Sequence, residues 1–269
     1  VPSRSQRMVA MGRGLLGHGL MAAIARPRRY LLRMDFYTDF AAHYERVFPF
    51  RPQTLAFLRD HLPDQGRVLD LGCGPGHYTG ALAADGLEAV GIDIDDAMIA
   101  AARERYPAAL FVAEDLAAAP SLVAAADGAF CIGNVLPHLA PDGLGEFLID
   151  LAGVLPPGAP WLLQTVNYDR LLPLRAAHDF PGLDAGDGLV FQRRYEPLDG
   201  GAVRFVTRLA RGDEAVFSGE TRLWPLTARE LTTLHAEAGL RLCDQHGGFA
   251  GEPYDPTSSG GLVQLYVRQ

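Results

Sequence analysis

The chain has 269 residues, of which 48% are hydrophobic and 21% are charged, so it is long enough to bury a full hydrophobic core. No internal apolar stretch reaches the roughly 18 residues that a membrane-spanning helix needs, and the three cysteines form neither a CxxC pair nor a disulfide framework. We therefore expect a cytoplasmic protein with no metal site and no membrane contact.

The positive charge is concentrated at the start of the chain. All 24 basic residues are arginine, and seven of them lie within residues 1–34, which contain no carboxylate. The rest of the chain carries 17 arginines and 32 carboxylates, and such an acidic body repels phosphate backbones. This distribution argues against nucleic acid as a partner, and we expect residues 1–33 to form a disordered basic tail.

From Val68 onward, apolar runs alternate with helical patterns, which is typical of βαβ units and a parallel sheet covered on both faces. Two later apolar runs, Leu240–Cys243 and Leu262–Val267, have no helical pattern between them, so we expect them to pair antiparallel. The predicted fold is α/β, a Rossmann-like doubly wound seven-stranded sheet with an antiparallel last strand. The first five predicted strands are Arg67–Leu71, Ala89–Asp93, Ala109–Ala113, Ala129–Gly133 and Trp161–Val166.

Three extended runs interrupt this rhythm after the fifth strand, and turn sequences typical of hairpins join them. They predict a small antiparallel β insertion over residues 185–225, and Thr227 with Glu230 then has the spacing of a helix capping box. We expect a domain of residues 34–269, with N-terminal lid helices at 34–62 and a core at 66–166 and 226–269. The extended runs are Leu189–Pro197, Ala202–Arg211 and Ala215–Trp224.

Glycines at positions 72, 74 and 76 follow the first predicted strand and precede a helix, where they permit a sharp turn and a close approach of a ligand to the backbone. The spacing is GxGxG, and His77 stands where the dinucleotide fingerprint GxGxxG requires glycine. Asp70 ends the same strand, and a carboxylate there is costly unless it meets a cation or hydrogen-bond donors. A ligand ammonium would supply both.

Acidic residues also follow the next two predicted strands. Asp93 ends the second strand and can accept hydrogen bonds from both hydroxyls of a ribose. Asp115 follows the third strand and can accept from an adenine amino group, although Glu114 could take the same role. The three acidic positions thus predict sites for an aminoacyl group, a ribose and a base along one edge of the sheet, with no place for a pyrophosphate.

In this combination, the sequence resembles the class I S-adenosylmethionine (SAM)-dependent methyltransferases over residues 34–269. The nucleoside-binding motif of that family is matched by Val68–Gly76, and its motif after the fourth strand is matched by Phe130–His138. Phe36–Phe48 is similar to the helix that closes over SAM in small-molecule N-methyltransferases. The cofactor-binding residues that the resemblance implies are Asp70, Gly72, Gly74, Gly76, Asp93, Ile94, Asp115, Leu116, Gly133, Asn134, Tyr37 and Tyr44.

The resemblance implies SN2 methyl transfer from SAM to a small molecule, with nitrogen as the first expected acceptor atom and oxygen as the second. The β insertion is similar to that of methyltransferases acting on glycine, sarcosine or amino sugars, and His138 is the candidate general base. Acidic and aromatic side chains facing the sulfonium would favour an amine acceptor, whereas arginine would favour a carboxylate. The candidate arginines are Arg170, Arg175, Arg193 and Arg194.

Two other functions are compatible with parts of this pattern. A nicotinamide-dependent oxidoreductase shares the doubly wound sheet and the acidic ribose residue, but the GxGxG spacing and Asp70 disfavour it. A non-catalytic SAM-binding module would use the β insertion as a dimer surface, and a homodimer through the insertion is compatible with the enzyme as well. Product formation distinguishes the module from the methyltransferase.

Overall fold

A computed structural model of the protein describes residue 40 and residues 43–174 and 176–269. The expected basic tail, Tyr37 and Arg175 lie outside the described residues. Within those ranges, no helix is both long enough and apolar enough to cross a membrane.

The described strands and helices are numbered in chain order. The strands are β1 (Arg67–Leu71), β2 (Glu88–Asp93), β3 (Leu110–Ala113), β4 (Gly128–Cys131), β5 (Pro160–Val166), β6 (His178–Asp179), β7 (Leu183–Asp184), β8 (Leu189–Pro197), β9 (Val203–Arg211), β10 (Glu214–Leu223), β11 (Leu240–His246) and β12 (Gly261–Arg268). The helices are α1 (Pro52–His61), α2 (His77–Ala84), α3 (Asp96–Arg105), α4 (Pro141–Val154), α5 (Tyr168–Leu171) and α6 (Ala228–Glu237). Residues 43–47 are also helical, and we refer to residue 40 and residues 43–50 as the N-terminal segment.

A seven-stranded sheet in the order β11-β12-β5-β4-β1-β2-β3 forms the centre of the protein. Strands β1 to β5 pair parallel, whereas β12 is antiparallel to both β5 and β11. The predicted fold class, with its antiparallel last strand, is therefore confirmed.

Helices cover both faces of this sheet, because successive strand residues point to opposite sides. Val68 packs on one side with Leu58 of α1 and Leu82 of α2, in a fully buried cluster. Its neighbour Leu69 packs on the other side with Phe147 of α4. Burying one such Leu or Phe side chain stabilises the fold by about 1.5–3 kcal/mol, so strands that are apolar at every position require this double cover.

Side-chain caps set the starts of two helices in the core. The Asp95 carboxylate accepts a hydrogen bond from the Met98 backbone N–H at 2.8 Å and caps α3. At the start of α6, Thr227 and Glu230 form the reciprocal capping box that their spacing predicts. The helix ends at Glu237, and Gly239 follows its C-cap with a φ of 78°, in the left-handed region.

The β insertion forms a second, antiparallel sheet in the order β10-β9-β8-β6, with β7 also paired to β8. The three predicted extended runs correspond to β8, β9 and β10. The two-residue strands β6 and β7 were not predicted, because two residues are too short to show a strand periodicity. We call this second sheet the insertion sheet.

One face of the insertion sheet packs inward. Along β8, Leu189, Phe191 and Tyr195 are buried and Arg193 is half-buried, while Val190, Gln192 and Arg194 are exposed. This face contacts the N-terminal segment through Phe40, whose ring stacks on that of Phe191 at 5.1 Å. Farther along, the Tyr195 ring lies parallel to that of Tyr168 in α5 at 5.9 Å. The insertion sheet thus connects the N-terminal segment with the carboxyl edge of the central sheet.

Candidate functional site

The glycine loop between β1 and α2 is held close against its neighbours. The Gly72 backbone N–H donates to the Ile92 carbonyl at 2.8 Å, which ties the loop to the end of β2. Gly72 has a φ of 84°, and a Cβ at this position would lie 2.4 Å from Cγ1 of Val135. Gly76 has a φ of 78°, and its Cβ would lie 2.6 Å from the Phe111 ring. Glycine is required at both positions for space as well as for conformation.

Asp70 is buried at the end of β1, directly beneath this loop. Its carboxylate accepts a hydrogen bond from the Thr79 hydroxyl at 2.6 Å, and its side chain is enclosed, with 3% of the residue exposed. Burial, with a smaller contribution from the nearby Asp93 carboxylate, raises the pKa of Asp70 to about 7, although the hydrogen bond from Thr79 opposes the shift. A buried carboxyl group in this state is matched by a cationic ligand, whose charge would favour the ionised form.

Asp93 ends β2 and faces the same loop. It accepts from the backbone N–H of Gly74 at 2.8 Å and from that of Asp95 at 3.0 Å, and burial raises its pKa. A carboxylate has about four acceptor positions, so two backbone bonds leave capacity for further donors. The next residue, Ile94, is 39% exposed, although it is a large apolar side chain at the end of a buried strand.

The residues after β3 complete this edge of the sheet. Asp115 caps the 3-10 turn Leu116–Leu122 by accepting from the Ala117 N–H at 2.9 Å. One carboxylate oxygen of Asp115 is therefore engaged in the turn. Leu116 is half-buried and packs against the main core cluster.

Tyr44, in the N-terminal segment, covers the glycine loop. Its Cζ lies 3.6 Å from the position that a Cβ on Gly74 would occupy, and its hydroxyl lies 4.0 Å from the corresponding position on Gly133. Burial raises the pKa of Tyr44 well above its usual range, and the carboxylates of Asp93 and Asp70 act in the same direction. The hydroxyl therefore stays protonated between the loops that follow β1 and β4.

His77 and Tyr78, which the sequence pattern left unexplained, contact the N-terminal segment and its continuation. The Tyr78 hydroxyl accepts from the Arg51 backbone N–H at 3.3 Å, and its ring lies 5.4 Å from that of Phe50. His77 Nε2 is 3.8 Å from the Glu45 carboxylate, and burial lowers the His77 pKa. These two side chains anchor the segment that carries Tyr44.

Gly133 and Asn134 form a turn after β4, and Asn134 is left-handed, with a φ of 64°. The Asn134 amide donates to the hydroxyl of Tyr168 at 3.0 Å and to that of Tyr195 at 3.3 Å. The two tyrosine hydroxyls are 3.2 Å apart, and burial raises the pKa of Tyr195 to about 12. We call Asn134, Tyr168 and Tyr195 the Asn–Tyr cluster. It is an uncharged hydrogen-bonding group at the carboxyl edge of the sheet.

The sequence placed Asn134 with the cofactor residues, but its side chain is directed at the insertion sheet. Tyr195 was missed, because it lies 61 residues further along the chain, in the β insertion. The alternation of apolar residues along β8 was the one signal that could have found it. His138 is half-buried at the end of the 3-10 turn Leu136–His138, and its backbone N–H donates to the Val135 carbonyl at 2.9 Å.

Comparison with known proteins gives matches to one family. Residues 68–158 match the methyltransferase domain family. A trans-aconitate 2-methyltransferase of Variovorax paradoxus (strain S110) is 35% identical over 157 residues, which are 48% of this chain. The match spans 61% of the length of that relative.

Solved structures share the fold over most of their length. The CcbJ methyltransferase from Streptomyces caelestis has a TM-score of 0.72 at 19% identity, over 87% of this chain and 98% of that one. An S-adenosylmethionine-dependent methyltransferase from Clostridium acetobutylicum ATCC 824 has a TM-score of 0.69 at 15% identity, over 86% of this chain and 98% of that one. With the sheet topology, these similarities show that the chain contains a methyltransferase domain and has the fold of the class I SAM-dependent methyltransferases.

Proposed function

We propose that the protein transfers the methyl group of SAM to a small-molecule acceptor. The observation that carries this proposal is the convergence of the glycine loop with two carboxylates, buried Asp70 and half-buried Asp93, at one edge of the sheet. A phosphate-bearing cofactor would meet unfavourable charge there, because the same carboxylates repel phosphate. SAM instead combines cationic groups with an uncharged ribose and adenine.

The residues fit SAM in three respects. Gly74 has no side chain between its backbone and Tyr44, so a ligand chain that displaces the Tyr44 ring can lie against the backbone there. Asp93 keeps free acceptor positions for ribose hydroxyls. Ile94 exposes an apolar surface on which an adenine can pack. The remaining cofactor contacts predicted from the sequence, including Asp115, Leu116 and Gly133, stay part of this proposal.

SAM supplies a methyl group that is already activated by the sulfonium. The protein then has to hold an acceptor lone pair opposite the departing sulfur and to exclude water. Tyr44 and the aromatic contacts of the N-terminal segment cover the loop, which is the exclusion that the reaction needs. On the other side, the Asn–Tyr cluster offers hydrogen-bond donors and acceptors that can orient a polar acceptor.

Nitrogen is the acceptor atom that the sequence resemblance favours, and oxygen is the second candidate. The Variovorax relative is named for trans-aconitate, a carboxylate, which supports oxygen. For an amine or a hydroxyl acceptor we propose His138 as the group that takes or orients the acceptor proton, because it follows β4 at the same edge as Asn134. A carboxylate acceptor has no proton to lose, so there His138 would only orient it. A His138→Gln variant should lower kcat more than it weakens SAM binding.

We also retain two proposals about organisation. The catalytic domain comprises residues 34–269, with the β insertion as part of it. A homodimer would form through the insertion sheet, where β10 is an edge strand and Val216 is 44% exposed.

Incubation with methyl-deuterated SAM and a panel of small amines, alcohols and carboxylic acids tests the function. Mass spectrometry should find one acceptor that gains a deuterated methyl group. Mild base then separates a methyl ester, which is hydrolysed, from an N-methyl group or a methyl ether, which are not, and the identity of the acceptor distinguishes the last two.

Calorimetric titration with S-adenosylhomocysteine and with NAD provides the matched binding control. Binding of NAD alone would favour an oxidoreductase and refute the proposal. Binding of S-adenosylhomocysteine without product from any acceptor would favour a non-catalytic module.

A further inference from the structure

The inward face of the insertion sheet consists of two apolar clusters. The cluster at the N-terminal segment contains Phe40, Val47, Leu189, Phe191, Leu209 and Phe217. The cluster at the central sheet contains Tyr168, Leu171, Tyr195, Val203 and Leu223. The first lies beneath Tyr44, and the second includes two members of the Asn–Tyr cluster. A ligand between Tyr44 and the Asn–Tyr cluster would therefore lie against the part of the sheet that joins the two.

A polar row crosses the sheet between these clusters. Arg193 on β8 is paired with Thr207 on β9, which is paired with Gly219 on β10. Thr207 is 1% exposed, and its hydroxyl donates to the Gly219 carbonyl at 3.2 Å. The side chains at this level are smaller or more polar than those on either side. An arginine there is unexpected on a face that is otherwise apolar, because burying a charge without a partner is costly.

Arg193 follows the inward phase of β8, since it lies two residues from both Phe191 and Tyr195. Its guanidinium carbon is 5.2 Å from the centre of the Phe180 ring, and one terminal nitrogen donates to the Pro181 carbonyl at 3.2 Å. Its Nε is buried and has no hydrogen-bond partner among the described residues. Within the same described ranges, no carboxylate lies at ion-pair distance from it, and burial lowers its pKa.

The next residue shows the opposite arrangement. Arg194 faces outward, is 46% exposed and pairs with the carboxylates of Asp179 and Glu196 at 3.4 and 3.2 Å. Arg170, another candidate from the sequence, is exposed on α5. Of the candidate arginines that the structure describes, Arg193 alone combines partial burial with an inward position and unused donors.

We propose that Arg193 binds a carboxylate group of the methyl acceptor, and that the protein therefore acts on small carboxylate-bearing molecules. This inference rests on the proposed function and specifies its substrate class. A guanidinium fork fits a carboxylate bidentately, and an anion at this position would supply the charge that Arg193 lacks. The neutral Asn–Tyr cluster beside it adds hydrogen bonds without repelling the anion.

Calorimetric titration of the full chain, saturated with S-adenosylhomocysteine, tests the inference without turnover. The probes are malonate, succinate, trans-aconitate and glycine, with the uncharged trimethyl ester of trans-aconitate as a control for charge. At least one carboxylate should bind, and the ester should not. Arg193→Gln should weaken that binding about 10- to 100-fold, which is typical of losing a charge-assisted hydrogen-bonded pair. Arg193→Lys should give an intermediate loss, because it keeps the charge but not the fork.

Arg194→Gln is the matched control and should bind the same carboxylate as the unmodified protein does. All variants should keep their S-adenosylhomocysteine affinity, which shows that they are folded. An equal loss in the Arg194 and Arg193 variants, or no binding of any carboxylate, would overturn the assignment of Arg193. Failure to bind S-adenosylhomocysteine would instead refute the proposed function, so the two failures are distinguishable.

Discussion

A buried histidine in α6 provides a quantitative test of how the core is held together. His235 is fully buried, and its Nε2 lies 2.9 Å from the indole nitrogen of Trp161. Because an indole N–H can only donate, Nε2 must accept, and the ring proton lies on Nδ1, which donates to the Leu231 carbonyl at 2.6 Å. Tyr266 stacks on the ring at 4.0 Å. A second ring proton would face the Trp161 N–H with no acceptor.

The magnitude follows from the pKa. Burial lowers the pKa of His235 from 6.5 to about 4. A histidine whose pKa is lower in the folded state than in the unfolded state stabilises the protein at any pH above the unfolded-state pKa. This contribution is lost as the pH falls from 6.5 toward 4. The complete difference corresponds to about 3 kcal/mol, of which about 2 kcal/mol is lost between pH 7 and pH 5.

Asp70 acts in the opposite direction over the same range. Its pKa is raised from 3.8 to about 7, so its destabilising charge is relieved as the pH falls from 7. This gain is also about 2 kcal/mol between pH 7 and pH 5. The two effects largely cancel in the unmodified protein, and only a comparison with variants separates them.

The assay is urea denaturation at pH 7 and pH 5, followed by far-ultraviolet circular dichroism. The stability difference between the unmodified protein and a His235→Gln variant should shrink by about 2 kcal/mol at pH 5. For Asp70→Asn, the stability of the unmodified protein relative to this variant should instead rise by about 2 kcal/mol between pH 7 and pH 5. A His235 difference that stays constant within about 0.5 kcal/mol would refute the proposed neutral, acceptor role of this ring.

Three further predictions concern the loop, the cofactor and the surface. Gly72→Ala should destabilise the fold by about 2–5 kcal/mol through left-handed strain and contact with Val135, and adding Val135→Ala should recover only the contact part in thermal melts. Asp93→Asn should weaken S-adenosylhomocysteine binding about 10- to 100-fold in calorimetry, whereas unchanged affinity would remove Asp93 from the ribose site. Arg59→Ala breaks an exposed ion pair with Asp85 and should leave the urea midpoint almost unchanged, because solvent screens such a pair.

Much of the cofactor side could be predicted because its residues are close in sequence. Asp70 and the glycines after it lie on one strand and its following turn, and Asp93 ends the neighbouring strand. Parallel pairing brings the carboxyl ends of such strands to one edge, so the order along the chain predicts the order in space. The lack of space for a side chain at Gly72 could not be predicted in this way, because Val135, which a Cβ there would contact, lies in a loop distant in sequence.

The acceptor side could not be predicted in the same way. Asn134, Tyr168 and Tyr195 come from the turn after β4, from α5 and from β8, and their hydrogen bonds depend on how the insertion sheet packs. Four arginines are equivalent candidates for binding a carboxylate when only the sequence is considered. The register of β8 separates inward Arg193 from outward Arg194. A shift of one residue in that register would exchange the two side chains.

The sequence by itself determined the fold class, the capping box of α6 and the GxGxG loop, since these depend on periodicity and on neighbouring residues. The tertiary structure decided which side chains meet across the insertion sheet, how Tyr44 covers the loop and why His235 must stay neutral. These features depend on contacts between residues far apart in the chain, and no local pattern encodes such contacts. For the same reason, the proposed cofactor residues lie in a sequence motif, whereas the proposed acceptor residues are brought together only by packing.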